Sequence, residues 1–176
     1  MSRPLVSVCI PTYNRARYLA LAIDSVLGQT FEAFELIVAD DASTDDTAEV
    51  VRAYRDPRIR YLRNDRNLGG PANWVRAFGA ATAPYCAILG DDDRWAPAFL
   101  ESLVTPLDVQ PAVDVTFSDH WVIDAEGDTL PGLTERYSQA YGRAGLRPGL
   151  HQPFVELAVL SQSLAVSAAL LRRDRV

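Results

Sequence analysis

The sequence contains no lysine, and all seventeen of its basic residues are arginines. Acidic side chains outnumber them, giving a formal net charge of −6, so the basic patch typical of nucleic-acid-binding proteins is missing. No apolar run approaches the about 20 residues needed to cross a bilayer, and the first residues do not resemble a signal peptide. These absences predict a cytoplasmic protein with no transmembrane segment and no nucleic-acid partner.

Cysteine is also scarce, because Cys9 and Cys86 are the only two and both lie inside apolar runs. This placement predicts reduced core residues rather than a disulfide framework or a zinc site. No G-x-G-x-x-G motif follows the first predicted strand, which disfavours a dinucleotide-dependent oxidoreductase. A chain of 176 residues with 48% apolar composition is long enough for a sizeable core, so we predict one domain over residues 1–176.

Short apolar segments alternate with helical patterns along the first part of the chain. Runs such as LVSVCI and FELIVAD are typical of strands buried on both faces of a sheet. Strands and helices alternate up to about residue 110. This alternation predicts an α/β fold with a Rossmann-like, mostly parallel sheet and helices on both faces. The predicted strands are 5–10, 34–40, 59–63, 85–89 and 113–118, with helices after Asn14, after Ser43, over 72–81 and from Pro97 to about Leu107.

The local signals at helix ends and in the second part of the chain give further expectations. Asn14 and Ser43 are predicted to cap the helices that follow them, and Pro11 is predicted to stop the first strand. Residues 121–124 are expected to form a hairpin around the Glu126-Gly127 turn. After it we expect an irregular segment over 131–152, a short helix near 153–160 and a last strand over 164–171.

Polar residues gather where three of the predicted strands end. The first strand is followed by residues 11–14 (PTYN), the second ends in Asp40 and Asp41, and the fourth leads to residues 91–93 (DDD). Open parallel sheets bind ligands beyond the carboxyl ends of their strands. These segments therefore predict a ligand site at one edge of the sheet.

The acid cluster, defined as Asp91, Asp92 and Asp93, carries the largest electrostatic cost. Two unit charges about 5 Å apart repel by roughly 3 kcal/mol at an effective dielectric near 20. The residues leave two interpretations open: a solvated turn, or a site for a cation that removes the repulsion. Carboxylates without His or Cys nearby suit Mg²⁺ or Mn²⁺, which take their remaining ligands from phosphate oxygens.

Four motifs in this order resemble family 2 of the inverting nucleotide-sugar glycosyltransferases: residues 11–15 (PTYNR), 38–45 (VADDASTD), 67–69 (NLG) and 89–93 (LGDDD). The resemblance covers about residues 4–110. It implies an A-type glycosyltransferase fold, and a nucleoside-diphosphate sugar as donor, with a UDP-sugar favoured. It further implies sugar transfer with inversion to a saccharide or lipid-linked acceptor, in cell-envelope or extracellular polysaccharide synthesis at the inner face of the membrane.

The resemblance also implies roles for individual residues. Thr12 and Tyr13 would line the nucleobase pocket, with Tyr13 stacked on the base, while Asp40 and Asp41 would contact base and ribose. Asp92 and Asp93 would hold Mn²⁺ or Mg²⁺ on the diphosphate. The complete predicted substrate-binding set is Pro11, Thr12, Tyr13, Asn14, Asp40, Asp41, Asn67, Asn73, Arg76 and Asp91.

Two departures from the family pattern concern the donor side. Gly90 occupies the first acidic position of the metal-binding motif, so Asp91 becomes its intermediate residue. Trp74 and Val75 stand where the family often has Arg and Asn. Asn73 and Arg76 are predicted to replace them, toward phosphate or sugar.

The C-terminal departure concerns catalysis. The sequence ends before the acidic motif that supplies the family's catalytic base, so residues 1–110 are predicted to be the donor- and metal-binding half and 111–176 the start of the acceptor side. Asp119, with His120, is the candidate base within the chain, and we expect weak or no transfer by the chain alone. Two alternatives are a metal-dependent nucleotidyltransferase and a non-catalytic nucleotide-binding module.

Overall fold

The structure, a computed structural model, describes residues 3–152 and 161–175. Strands and helices alternate through its first two thirds, as the sequence predicts. None of the helices in these two ranges has the length and hydropathy required to cross a membrane. The strands are β1 (Val6–Thr12), β2 (Phe34–Asp40), β3 (Ile59–Arg63), β4 (Tyr85–Ile88), β5 (Val115–Phe117) and β6 (Ala169–Arg172); the helices are α1 (Ala16–Leu27), α2 (Thr47–Ala53), α3 (Gly70–Gly79), α4 (Phe99–Val109) and α5 (Pro131–Ala140).

The six strands form one sheet in the order β3-β2-β1-β4-β6-β5. Strands β1 to β4 are parallel, whereas β6 runs antiparallel to β4. The predicted α/β class with a mostly parallel sheet is therefore confirmed. This order places β1 at the centre, with β2 on one side and β4 on the other.

The side chains of β1 alternate between two apolar clusters, one on each face of the sheet. Val8 and Ile10 belong to a large cluster with Leu19 of α1 and Leu100 of α4. Cys9 points to the opposite cluster, which contains α3 residues. Helices therefore cover both faces, and the central strands are buried along their whole length. Cys9 and Cys86 are both buried and free.

Three predicted element ends were wrong, at β1, α1 and α2. The strand continues through Pro11 to Thr12, because Pro11 lies beyond the last pair between β1 and β4, where a missing N–H breaks no hydrogen bond on that side. Asn14 is not the N-cap of α1: that position belongs to Arg15, whose own side chain makes no capping hydrogen bond. Ser43 does not cap α2 either, because that helix begins at Thr47.

Contacts divide the chain into two units. The first comprises Met1–Thr116 and Ala169–Val176, and the second comprises Phe117–Ala168. Within the second unit, the predicted hairpin is a single antiparallel bridge between Ile123 and Thr129. The single domain over 1–176, with halves at 1–110 and 111–176, stays a prediction.

The later elements differ most from expectation. The irregular segment over 131–152 is wrong in its first part, because α5 begins with Pro131 at its first turn and contains the good helix formers Leu133, Glu135 and Arg136. The helix from Pro97 begins at Phe99. The last strand is shorter, since a 3-10 turn over Val166–Ala168 precedes β6. The helix near 153–160 lies outside the described residues.

Candidate functional site

The carboxyl ends of β1, β2 and β4 lie at one edge of the sheet because these strands are parallel neighbours. Thr12 ends β1 and pairs with Asp40, which ends β2. β4 ends at Ile88, and the acid cluster follows it after Leu89 and Gly90. We call this region the strand-end edge, and it brings together the three segments that the sequence predicted would meet.

The loops after β1 and β2 are hydrogen-bonded to each other. The backbone N–H of Asn14 donates to Ser43 Oγ at 2.9 Å, and Asn14 Oδ1 accepts from the Thr44 N–H at 2.7 Å. Asn14 has a φ of 54°, a left-handed conformation that asparagine tolerates better than most residues. Asp45 Oδ2 accepts from the Ala16 N–H at 3.0 Å. Both predicted caps therefore act as ties between loops, which hold the strand-end edge in shape.

Asp40 is fully buried, and protein groups occupy both of its oxygens. Oδ1 accepts from the Ser43 N–H at 2.8 Å, and Oδ2 accepts from the Tyr61 hydroxyl. Arg63 Nε lies 3.8 Å from Oδ2. Burial and the hydrogen bond to Asp40 raise the pKa of Tyr61 to about 12, so Tyr61 remains a donor at neutral pH. These contacts support Asp40 as the residue that shapes the loop after β2.

Asp41 is also buried but accepts from a different set of donors. Its Oδ1 accepts from Asn64 Nδ2 at 2.6 Å and from the Leu68 N–H at 2.8 Å, and its Oδ2 accepts from the Gly69 N–H at 2.9 Å. Burial alone would raise the pKa of the Asp41 carboxyl, but these hydrogen bonds and the charge of Arg76 outweigh it and lower that pKa. Asp41 is therefore a fixed negative charge that anchors the loop before α3.

The asparagines near α3 belong to the same network. Asn64 Nδ2 lies 3.2 Å from Asn73 Oδ1, and Asn73 Nδ2 donates to the Ala39 carbonyl at 2.8 Å. Asn67 Oδ1 accepts from the Gly69 N–H at 2.9 Å. Gly69 has a φ of 84°, so the glycine in this motif fits a backbone conformation that side chains disfavour. Asn73 is buried and turned toward the β2 backbone, which favours a positioning role.

The acid cluster contacts Arg15, the residue just before α1. Arg15 Nη1 donates to Asp92 Oδ2, and the same nitrogen lies 3.5 Å from Asp91 Oδ1. The Asp91 side chain is only 11% exposed, whereas that of Asp92 is 52% exposed. Burial raises the pKa of Asp91, while the Thr12 hydroxyl and the Arg15 charge oppose that rise. The cluster is therefore neither fully solvated nor uncompensated.

The turn that carries the cluster depends on Gly90. The Asp93 N–H donates to the Gly90 carbonyl at 3.0 Å, which closes a tight turn. A Cβ at position 90 would lie 2.7 Å from Asp93 Oδ2 and 3.2 Å from Asp92 Oδ1. Trp95 follows, buried, with its ring 4.3 Å from that of Phe99. The missing side chain at position 90 thus lets both carboxylates fold back over the turn.

The remaining predicted residues of the first unit differ in accessibility. Tyr13 is 45% exposed, so its ring is available at the strand-end edge, whereas Pro11 and Thr12 are buried in β1. Arg76 is exposed on α3. An exposed aromatic ring beside buried carboxylates can stack on a flat ligand while the polar groups orient it.

Asp119, the candidate base, lies in the second unit. Its Oδ1 accepts from Arg143 Nε at 2.8 Å, and its Oδ2 accepts from Ser138 Oγ at 3.0 Å. Burial would raise the pKa of Asp119, but these contacts and the His120 N–H lower it. A general base works best with a pKa near the operating pH, so this environment favours a structural role. Asp119 also lines a cavity of about 630 Å³, together with Trp121 and Glu135.

Sequence reasoning assigned no role to several residues that the structure brings to this region. Arg15 belongs to the PTYNR motif at residues 11–15, but its contact with Asp92 of the acid cluster joins residues 77 positions apart in the sequence. Asn64 directly follows β3, so the rule of inspecting strand ends would have found it. Tyr61 lies within β3, where no sequence signal distinguishes it from a core residue.

The donor atoms at this edge fit a hard divalent cation carried by phosphates. Asp92 and Asp93 supply carboxylate oxygens, the ligand type that Mg²⁺ and Mn²⁺ prefer. Over residues 3–152 and 161–175, no group of three or more His, Cys, Asp or Glu side chains forms a complete cage.

The chain belongs to glycosyl transferase family 2, because residues 7–163 match the profile of that family. It is 40% identical over 98 residues to the putative colanic acid biosynthesis glycosyl transferase WcaA of Escherichia coli. That alignment covers 54% of this chain and 35% of WcaA. The chain spans less than half the length of the curated relatives it matches. The sequence-based assignment to this family is confirmed.

Solved structures agree with this assignment. A crystal structure of S. aureus TarS 1-349 in complex with UDP is 30% identical, with a TM-score of 0.59 over 62% of this chain and 33% of that one. The mannosyltransferase PcManGT from Pyrobaculum calidifontis, in complex with GDP-Man and Mn²⁺, aligns over 99% of this chain and 46% of its own, with a TM-score of 0.67 and 23% identity. The A-type glycosyltransferase fold is thus confirmed.

Proposed function

We propose that the strand-end edge binds a nucleoside-diphosphate sugar, and that the protein transfers this sugar to an acceptor hydroxyl with inversion. The observation that carries the proposal is the meeting of Tyr13, Asp41 and the acid cluster at the ends of three adjacent parallel strands. An aromatic ring, fixed carboxylates and carboxylates exposed to a cation are the groups that a base, a ribose and a diphosphate require.

The nucleoside end of the donor is assigned to the loops after β1 and β2. Tyr13 stacks on the base, since its ring is accessible, and Asp40 and Asp41 hold the surrounding backbone for contacts with base and ribose. Their hydrogen bonds fix the loops before the ligand arrives, which lowers the entropy lost on binding. The crystal structure of TarS with UDP supports a uridine-diphosphate sugar as the donor. Because PcManGT was crystallised with GDP-Man, the binding test also includes a guanosine diphosphate.

The diphosphate end is assigned to the acid cluster. Asp92 and Asp93 would hold Mn²⁺ or Mg²⁺, and the largely buried Asp91, 3.5 Å from Arg15 Nη1, is assigned to donor binding beside them. When bound, the ion stabilises the negative charge that develops on the leaving diphosphate. Arg76, exposed on α3 close enough to act on Asp41, is assigned to phosphate or sugar.

The next assignments concern the acceptor and the residue Asp119. The name of the WcaA relative connects it with colanic acid biosynthesis, which supports assembly of a cell-envelope polysaccharide on a saccharide or lipid-linked acceptor. Asp119 is assigned to positioning within the second unit, because Arg143 and Ser138 hold its carboxylate. A cytoplasmic location stays a prediction.

Binding of UDP and GDP, each with and without Mn²⁺, tests the donor site. We expect thermal unfolding to shift upward for one diphosphate only when the metal is present, by about 2.7 kcal/mol of stability at a ligand concentration of 100 times Kd. Tyr13→Ala should weaken binding by about 1–3 kcal/mol, the range for base–aromatic stacking, without changing the unfolding of the free protein. The exposed Tyr137, on α5 in the second unit, provides the matched control Tyr137→Ala.

The binding experiment and an analysis of reaction products together separate the competing functions. If nucleotide binding does not depend on the metal and is unchanged when Asp92 is substituted, the non-catalytic nucleotide-binding module is favoured. A nucleotidyltransferase would release pyrophosphate from a nucleoside triphosphate and a sugar phosphate, whereas a glycosyltransferase releases a nucleoside diphosphate from the sugar donor. Mass spectrometry of the products distinguishes the two reactions.

A further inference from the structure

The acid cluster already has a cation in contact with it. The Arg15 guanidinium donates to Asp92 and lies 3.5 Å from Asp91, so one side chain faces two of the three adjacent carboxylates. Their mutual repulsion, roughly 3 kcal/mol per pair at about 5 Å, requires a positive charge nearby in the free protein as well as in the bound state. Arg15 supplies that charge in the free protein.

The contact between Arg15 and Asp92 is easily broken. Their side chains are 48% and 52% exposed, and exposed ion pairs of this kind are weak. Asp92 is also one of the two carboxylates assigned to the divalent ion, so Arg15 and the ion need the same oxygen atoms. The two cations therefore compete for Asp92.

The position of Arg15 determines where it goes when displaced. It lies two residues after Tyr13, which is assigned to the nucleobase, and contacts Asp92, which is assigned to the metal. The diphosphate of a bound donor connects those two ends. A guanidinium has a planar fork of donors suited to phosphate oxygens, and its long side chain can move without disturbing the backbone.

We propose that Arg15 is an exchangeable counter-ion, which neutralises the acid cluster in the free protein and transfers to the diphosphate when the metal-bound donor enters. This inference rests on the proposed function, because it needs a metal and a diphosphate at the strand-end edge. It assigns Arg15 two opposite effects: the side chain opposes binding of the metal alone and favours binding of the metal with a nucleoside diphosphate.

The test measures both effects on the same variant. In Arg15→Ala, we expect affinity for Mn²⁺ alone to rise by up to about fivefold, because a weak competing ion pair is removed. Affinity for UDP at saturating Mn²⁺ should fall by about 10- to 100-fold, the loss expected for a charge-assisted hydrogen bond. Calorimetry measures the UDP affinity, and the paramagnetic signal of free Mn²⁺ measures the metal affinity; if GDP is the diphosphate that binds, it replaces UDP.

Arg17→Ala is the matched control, because Arg17 lies two residues away, exposed in the first turn of α1, with its guanidinium over the Tyr18 ring. It should change neither affinity. Arg15→Lys should keep part of the diphosphate affinity, since lysine retains the charge but not the fork. Opposite shifts in the two affinities support the exchange.

Two other results overturn the proposal. If Arg15→Ala leaves both affinities unchanged, or lowers both, Arg15 is not a competing counter-ion. If the unmodified chain itself binds no diphosphate with Mn²⁺, the proposed function fails and this inference falls with it. The unmodified chain thus distinguishes the two failures.

Discussion

The side-chain amide of Asn64 donates a hydrogen bond of 2.6 Å to the carboxylate of Asp41, and both residues are buried. This pair joins the end of β2 to the residue that follows β3. The Leu68 and Gly69 N–H groups donate to the same carboxylate, so one side chain fixes the loop before α3.

Asp41→Asn is therefore expected to destabilise the protein. The new amide would place a donor where the carboxylate now accepts, leaving a buried N–H group unsatisfied at a cost of about 1–3 kcal/mol. Urea unfolding measures the loss. Asp65→Asn is the control, because Asp65 is exposed in the neighbouring loop, and it should change the free energy of unfolding by less than about 0.5 kcal/mol. Equal effects of the two substitutions would contradict this role.

Glu35, in β2, gives the protein a specific dependence on pH. Burial alone would raise the pKa of Glu35, but hydrogen bonds from Thr82, Ser7 and Arg60 hold it at about 2 instead of 4.5. Because the folded-state pKa is lowered, the stabilisation is fully present above about pH 4.5 and is lost as the pH falls toward about 2. Its size corresponds to about 3 kcal/mol.

Glu35→Gln should remove that contribution at neutral pH and reduce the slope of stability between pH 4.5 and 2. Denaturant unfolding at several pH values measures the slope. Glu35 pairs with Ser7, at the end of β1 opposite Thr12, so nucleotide affinity should be unchanged. Glu32→Gln is the control, since Glu32 is exposed. If both variants keep the original slope, the network around Glu35 does not control acid stability.

The parts of the fold that the sequence predicted correctly depend on local patterns. β2 was predicted at its observed bounds because the mostly apolar run FELIVAD is typical of a buried strand and a polar turn follows it at once; all seven of its residues are buried. Sequence patterns do not reveal α5, because the glycine, proline and arginine content of residues 131–152 favours an irregular segment, although proline suits the first turn of a helix. Periodicity identifies buried elements well, and it identifies exposed helices poorly.

The site shows the same limit. Asp40, Asp41 and the acid cluster could be located because parallel strands end at the same edge. The Arg15 contact could not, because it joins residues far apart in sequence and depends on how two loops pack. The environment of Asp119 could not be predicted either, since its partner Arg143 comes from a segment predicted to be irregular.

Asp119→Ala tests whether that residue is structural. The substitution leaves Arg143, which is 7% exposed, without its carboxylate partner. Breaking one partner of a fully buried ion pair lowers the free energy of unfolding by about 3–5 kcal/mol. Because the Asp119 side chain is 55% exposed, the loss here should be smaller. We expect faster hydrogen exchange within residues 117–168 and unchanged exchange in β1 and β2. Asp128→Ala, in the same unit, is the control, and no change in exchange for either would contradict the structural role.

Gly90→Ala tests the acid cluster without removing a charge. A Cβ at this position would lie 2.7 Å from Asp93 Oδ2, so the Asp92 and Asp93 side chains must rotate. Both side chains are flexible and can relax in the free protein, so stability should change little. Holding them off their preferred rotamers for metal binding costs about 0.5–1.5 kcal/mol, which should weaken metal-dependent diphosphate binding by about 2- to 13-fold. Calorimetry with Mn²⁺ measures this. Gly79→Ala is the control because nothing lies within 4 Å of its added Cβ; an equal loss there would show that the geometry at Gly90 is not the cause.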